Sequence, residues 1–264
     1  MLRTVDITRY VTPLREGSSL PALVEADDGR EYVIKFRGAG HGAKALIAEL
    51  VVGEIGRALG LPVPEIVLAM LPEEIARAES HDEIRDLLGW SVGLNIGLEF
   101  VRGALASDMT RPPTEGADWA ADVVWFDDLT TNPDRTPRNA NLVVGEGRTW
   151  LIDHGSALYV QHAWTEPEVH AARAFDRIGE HILLPFASSI GAADARLAPR
   201  LDASLIDRIV DAIPDDWLTD TRFTAPGDER NAYRRYLAGR LDARPTWVAG
   251  AERMRREVQR DAVA

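Results

Sequence analysis

The alternation of apolar and polar positions divides the chain into a strand-rich opening and a helix-rich remainder. Residues 4–12 and 21–26 read as short strands, and the stretch 13–20 between them, with Gly17, Ser18 and Ser19, permits a close-fitting turn. Asp27-Asp28-Gly29 signals a hairpin, and residues 31–36 (EYVIKF) alternate as a third antiparallel strand should. Residues 44–59 (KALIAELVVGEIGRAL) carry a strong helical pattern, which Gly60 and Pro62 stop. At about 100° per residue, Glu54 falls within the arc of Leu46, Ile47, Leu50, Val51 and Ile55, whereas Glu49 lies at its margin. Residues 65–71 then predict a strand, 72–88 a polar surface helix, and 90–101 (WSVGLNIGLEFV) a central strand leading to a crossover. Residues 104–118 read as a loop and 119–129 as an apolar helix. Further helices are expected over 166–186, 203–213, 226–243 and 246–260. The outline is α+β, with a small β-rich part followed by a larger helical part.

Composition narrows the class without changing that outline. The 264 residues suffice for two lobes sharing a cleft, and 45% hydrophobic with 27% charged content describes an ordinary globular chain. Thirty basic against 42 acidic residues give a net charge of -12, which argues against direct binding to nucleic acid or to an anionic membrane. The absence of cysteine removes disulfides, thiolate nucleophiles and Cys-based zinc sites. With no apolar leader pattern and no run long enough to span a bilayer, the expected location is the cytoplasm.

Candidate chemistry concentrates in residues 127–159, a polar loop with Asp134, Asn139 and Asn141, then two strand-like runs joined by Gly145-Glu146-Gly147, then Asp153. An Asp, an Asn five residues on and a second Asp beyond a hairpin suit a nucleotide and its magnesium. Turns use Asn, Asp and Pro anyway, so the loop alone decides nothing. Upstream, Lys35 lies inside a strand, where a solvent-facing edge lysine is the plain alternative. The helix that follows it bears Glu49 and Glu54, and such a pairing can position phosphates. The end of the 90–101 run, Glu99-Phe100-Val101, suits a hinge with backbone groups for adenine. The glycines of GAGHGAK (38–44) sit between strand and helix, as a dinucleotide loop would, but their spacing fits neither GxGxxG nor GxxxxGK[ST]. They are read as a connection.

The runs VIKF, AELVVGEIGRALGLPVPE, NPDRTPRNANLVV and LIDHGSALY together resemble the HipA-like kinase family, over roughly residues 10–215. That resemblance implies a two-lobed protein-kinase-like fold, with an N-lobe over 1–101 and a C-lobe over 102–264, in a compact form without the N-terminal subdomain of HipA toxins. It implies ATP with Mg2+ or Mn2+ as cofactor and an unknown protein Ser/Thr, or a small-molecule hydroxyl, as acceptor. Lys35 would contact the ATP phosphates with Glu49 as its partner, Glu54 being the alternative; Asp134 would be the catalytic-loop aspartate. Asn139, with Asn141 as a second candidate, and Asp153 of Asp153-His154-Gly155 would hold the metal. Ser18 and Ser19 fall in the candidate phosphate loop, where one could be autophosphorylated. Asn132-Pro133 stands where kinases carry His-Arg, so a pseudokinase that binds nucleotide without turnover is the alternative. A third reading is a metallohydrolase using Asp153, His154, His162, His170 and His181.

Overall fold

A computed structural model describes residues 2–14, 20–40 and 42–262. The opening strands are β1 (Arg3–Pro13), β2 (Ala22–Ala26) and β3 (Glu31–Lys35). After helix α1 (Ala43–Ala58), β4 (Ile66–Leu71) and β5 (Gly93–Glu99) complete a closed barrel in the order β1-β2-β3-β5-β4. All pairings are antiparallel except β1 with β4, which run parallel from Arg3↔Val67 to Asp6↔Met70. The alternation of EYVIK has a direct outcome, because Tyr32 and Ile34 face inward and are buried with Val5, Ile7, Val24 and Val67. The antiparallel strand expectations therefore hold.

The polar stretch after β4 is two helices rather than one, α2 (Glu73–Ala78) and α3 (Asp82–Trp90). The Glu79 side chain accepts the His81 amide at 2.9 Å, a local turn that competes with helix continuation. In the C-terminal part, β6 (Leu105–Ala106) precedes α4 (Ala117–Leu129), and the hairpin β7 (Leu142–Gly145) and β8 (Arg148–Leu151) joins β6 in a second small sheet. Its turn has Glu146 at φ 53° and Gly147 at φ 75°, the paired left-handed conformations of a tight hairpin. A Cβ on Gly145 would stand 2.7 Å from Val101 and 3.0 Å from Ala104, so this glycine lets the hairpin close against the end of the barrel strand.

The helix expected over 166–186 is corrected to one short helix, α5 (Pro167–Ala172), followed by 3-10 turns at Asp176–Glu180 and Leu184–Phe186. At the end of α5, the Arg240 guanidinium takes the carbonyls of Ala171 (3.2 Å) and Arg173 (2.6 Å), and Gly179 and Pro185 disfavour any continuation. The pattern reading missed α6 (Ile190–Leu197), which Ser189 caps by accepting the Ala192 amide. The remaining helices α7 (Ala203–Asp211), α8 (Pro226–Asp242) and α9 (Arg244–Asp261) stand where expected to within a few residues.

Two apolar cores result. One fills the barrel. The other joins α1 to the C-terminal helices, with Leu46, Leu50, Val51 and Ile55 packed together with Val124, Phe126, Ile209 and Trp217. Helix α1 is buried on nearly all sides from Leu46 to Gly56, so no single face marks its inside. Among the described residues, no helix is long and apolar enough to cross a membrane.

Candidate active site

The last residue of β3 meets the middle of α1. Lys35 Nζ donates to Glu49 Oε2 at 2.6 Å and to Asp153 Oδ1 at 2.5 Å, bringing strand, helix and the end of the β8 segment to one point. Glu49 is fully buried, and Asp153 keeps 38% of its side chain exposed. Burial alone would lower the lysine, but Glu49 and Asp153 outweigh it and raise its pKa to about 12. Burial likewise pushes Glu49 up, and Lys35 with His154 more than offsets this, leaving it at about 2. Glu54 does not reach Lys35 and pairs with Arg57 at 3.2 Å, which corrects the helical-arc expectation. The arc failed because α1 is buried on nearly all sides and Glu54 lies on the part that stays partly exposed.

Asp153 leads into His154 and Gly155. The buried His154 ring stands edge-on to Phe126 at 5.8 Å, with Nδ1 at 3.4 Å from the second oxygen of Glu49. Among the described residues neither ring nitrogen has a hydrogen-bond partner. Next comes Ser156, whose Oγ donates to Asp134 Oδ2 at 3.4 Å. Asp134 is thereby tied to the segment that follows Asp153, although 19 positions separate the two aspartates in the chain.

Asp134 belongs to the loop between α4 and β7. Within it Thr136 and Asn139 exchange backbone hydrogen bonds at 2.9 and 3.0 Å and close a tight turn. That turn returns Asn139 Nδ2 to Asp134 Oδ2 at 3.0 Å. Asn141 Nδ2 donates to the Asp134 carbonyl at 3.0 Å and approaches Oδ2 at 3.4 Å. Asn139 is exposed at the turn, while Asn141 is buried and gives its carbonyl to the Ile152 amide at 3.1 Å, one residue from Asp153. Thr131, Asn141, Asp153 and Leu158 all have φ between 49° and 57°, a conformation that non-glycine residues adopt only when their surroundings impose it.

Sequence reasoning missed what holds this loop. Asp127, in the last turn of α4, is fully buried and accepts from Asn132 Nδ2 (2.9 Å), Arg135 Nε (2.6 Å) and His181 Nε2 (2.8 Å). Arg135 also donates to the Asn141 carbonyl at 2.5 Å, so one guanidinium ties both ends of the loop to α4. Asn132 Oδ1 accepts the Asp134 amide at 3.1 Å. The support that His-Arg would give from the N-terminal side of Asp134 here comes from Asn132 and from Arg135 on its C-terminal side. The only sequence signal was an Asp eight positions before an Arg.

Of the hinge residues, Glu99 directs its carboxylate to Arg30 (3.4 Å), the Phe100 amide donates to the Glu31 carbonyl at 2.9 Å, and Val101 packs near Gly145. Ser18 and Ser19 lie outside the described residues. The glycine run 38–44 connects β3 to α1 beside a barrel, not a parallel sheet, which removes the dinucleotide-loop reading. The metallohydrolase reading also fails. His154 and His181 are buried in separate networks, and among the described residues no three His, Asp or Glu side chains could hold a metal.

A β-barrel with one embedded helix, set over a helical part that carries an aspartate loop and an Asp-x-Gly turn, is a two-lobed kinase architecture. The chain belongs to the HipA-like kinases, whose family profile matches residues 7–238, and it is therefore a phosphotransferase. The fold is similar to that of the proinflammatory kinase CtkA of Helicobacter pylori, at 14% identity and a TM-score of 0.56 over 97% of this chain and 98% of that one. A Golgi casein kinase structure with Mn/ADP bound is more distant, at 12% identity, 92% and 73% coverage and a TM-score of 0.43. No curated protein matches the sequence.

Proposed function

We propose that this kinase transfers the γ-phosphate of ATP, with magnesium, to a Ser or Thr hydroxyl of a protein. The observation that carries this reading is Lys35 held between Glu49 and Asp153, opposite an Asp134 carboxylate fixed by Asn139, Asn141 and Ser156. Glu49 has no access to water and keeps the lysine in place. Lys35 Nζ, with a third proton beyond its two present bonds, is a donor for phosphate oxygens. Asp134 accepts the proton of the attacking hydroxyl as its oxygen bonds to phosphorus and the bond to ADP breaks.

The donor set suits a hard cation, because Asp153 offers a half-exposed carboxylate. Asn139 and Asn141 both turn Nδ2 towards Asp134, leaving Oδ1 as the oxygen each can offer. Of the two we assign Asn141, since its backbone is anchored beside Asp153 while Asn139 sits on an exposed turn. Magnesium held there would supply charge stabilisation to the transferring phosphoryl group. Against the alternative of a pseudokinase stands the support Asp134 receives from Asn132 and, through Asn141, from Arg135.

Turnover of ATP and transfer of its γ-phosphate, measured with magnesium, test the proposal. Asp134→Ala is expected to lower kcat by about 10²–10⁴-fold with little change in thermal unfolding, and Asp153→Asn to abolish the magnesium dependence. Turnover retained by both variants, or a wild type that binds nucleotide without turnover, overturns it.

A further inference from the structure

Lys44 is an unexpected residue for its place. It stands in the first turn of α1, where a cation opposes the helix dipole, and Gly42 at the cap offers no side chain to the exposed amides. Its ammonium donates to the Gln161 carbonyl at 2.8 Å and lies 2.8 Å from Asp220 Oδ2. Both partners are in the C-terminal part of the chain. Asp220, on the connection leading to α8, has only 5% of its side chain exposed. Its Oδ1 accepts Arg222 Nε at 2.8 Å, and its amide donates to the buried Glu229 at 3.2 Å. Arg222 in turn donates to the His162 carbonyl at 3.3 Å and the Gln161 carbonyl at 3.4 Å. The Gln161 side chain is held as well, accepting from Tyr233 Oη at 2.9 Å and donating to the Ala157 carbonyl at 3.3 Å.

We infer that Asp220 is a positioning residue for phosphoryl transfer: through Lys44 and Arg222 it fastens the turn Tyr159–His162, which follows Asp153-His154-Gly155, to the start of the helix that carries Glu49. The middle of α1 is fixed by apolar packing, and its end by Arg200, which donates to the Leu59 carbonyl at 2.7 Å. In the first turn, Lys44 makes the polar contacts to the C-terminal part. The Arg222 and Lys44 contacts hold Asp220 well below the usual carboxylate range despite its burial, so its carboxylate is ionised wherever the protein is folded near neutrality. A carboxylate from the chain itself thus orders the segment that leaves the metal-side aspartate, and no added phosphate is needed to do so. The inference rests on the reading of Lys35 and Glu49 as the phosphate-holding pair.

Hydrogen exchange and ATP turnover on the full chain test it, with Lys44→Met, Asp220→Asn and Lys44→Arg. Lys44→Met and Asp220→Asn are expected to speed amide exchange in residues 157–163 and in the first turn of α1. They are also expected to lower kcat about tenfold while the KM for ATP stays within about twofold. Lys44→Arg restores both properties. Lys44 is partly exposed, so its substitution is tolerated even if Asp220→Asn fails to fold. Unchanged exchange and turnover in Lys44→Met overturns the inference, as does a Lys44→Arg variant no better than Lys44→Met. A wild type without turnover removes the functional reading instead, and exchange still decides whether the bridge orders the two segments.

Discussion

Asp127 is a carboxylate shut away from water among three side-chain donors, and its partners Arg135 and His181 are almost as deeply buried. Removing one member leaves a buried charge without its counterpart, so Arg135→Ala is expected to cost roughly 3–5 kcal/mol in denaturant unfolding. A loss under about 1 kcal/mol would show that the loop does not depend on the pair. The same cluster fixes a pH trend. Burial pushes the Asp127 carboxyl up, but Arg135 and His181 more than compensate and hold it below its ordinary 3.8. Burial lowers His181 from its ordinary 6.5 against the pull of Asp127. In both cases the unfolded chain binds more protons than the folded one, so stability falls on acidification, first below pH 6.5 through His181 and then below 3.8 through Asp127. Between pH 7 and 4 the unfolding midpoint of the wild type should lose more, or gain less, on acidification than that of His181→Gln. An unaltered slope in the variant would remove His181 from the account.

At the scale of elements, β5 shows how closely the barrel is filled. Gly97 pairs with Ile34 on one side and Val67 on the other, and a Cβ there would stand 2.9 Å from a methyl group of each. Gly97→Ala should therefore destabilise the protein by about 1–3 kcal/mol, because the interior must shift to admit one carbon. Gly89, in α3, has no atom within 4 Å of the same construction, and Gly89→Ala should stabilise by up to about 1 kcal/mol through helix propensity. Thermal unfolding of the two variants moving in the same direction would contradict this account. The broken helix after α5 belongs to this scale too. No periodicity announces it, since the carbonyls that end it are taken by Arg240, 67 and 69 positions away.

For the whole molecule, the arrangement of cores matters most. Helix α1 follows a barrel strand in the chain yet shares its core with the C-terminal helices, so the lysine of the barrel and the aspartates of the floor are referenced to one rigid element. Trp217 adds a tie from the C-terminal part to the barrel, donating to the Leu94 carbonyl at 3.1 Å. A nucleotide held by both sides should stabilise the fold as a unit. ADP with magnesium at a hundred times its Kd is expected to add about 2.7 kcal/mol, seen as a raised unfolding midpoint, and Lys35→Met should abolish the shift. An equal shift in that variant would separate nucleotide binding from Lys35.

The sequence by itself determined what short-range chemistry decides: the alternating strands, the hairpin at Gly145-Glu146-Gly147, the extent of α1, and the family through motifs in order. It also singled out Lys35, Asp134, Asn139, Asn141 and Asp153, which the fold connects through a chain of hydrogen bonds that includes Ser156. Only the tertiary structure decided between Glu49 and Glu54, because a helix buried on nearly every side gives a weak amphipathic signal. Only it revealed Asp127 with His181, and Lys44 with Asp220, pairs whose members are 54 and 176 positions apart. Such contacts arise when distant segments exclude water together, and a linear pattern of apolar and polar residues carries no record of which segments those are.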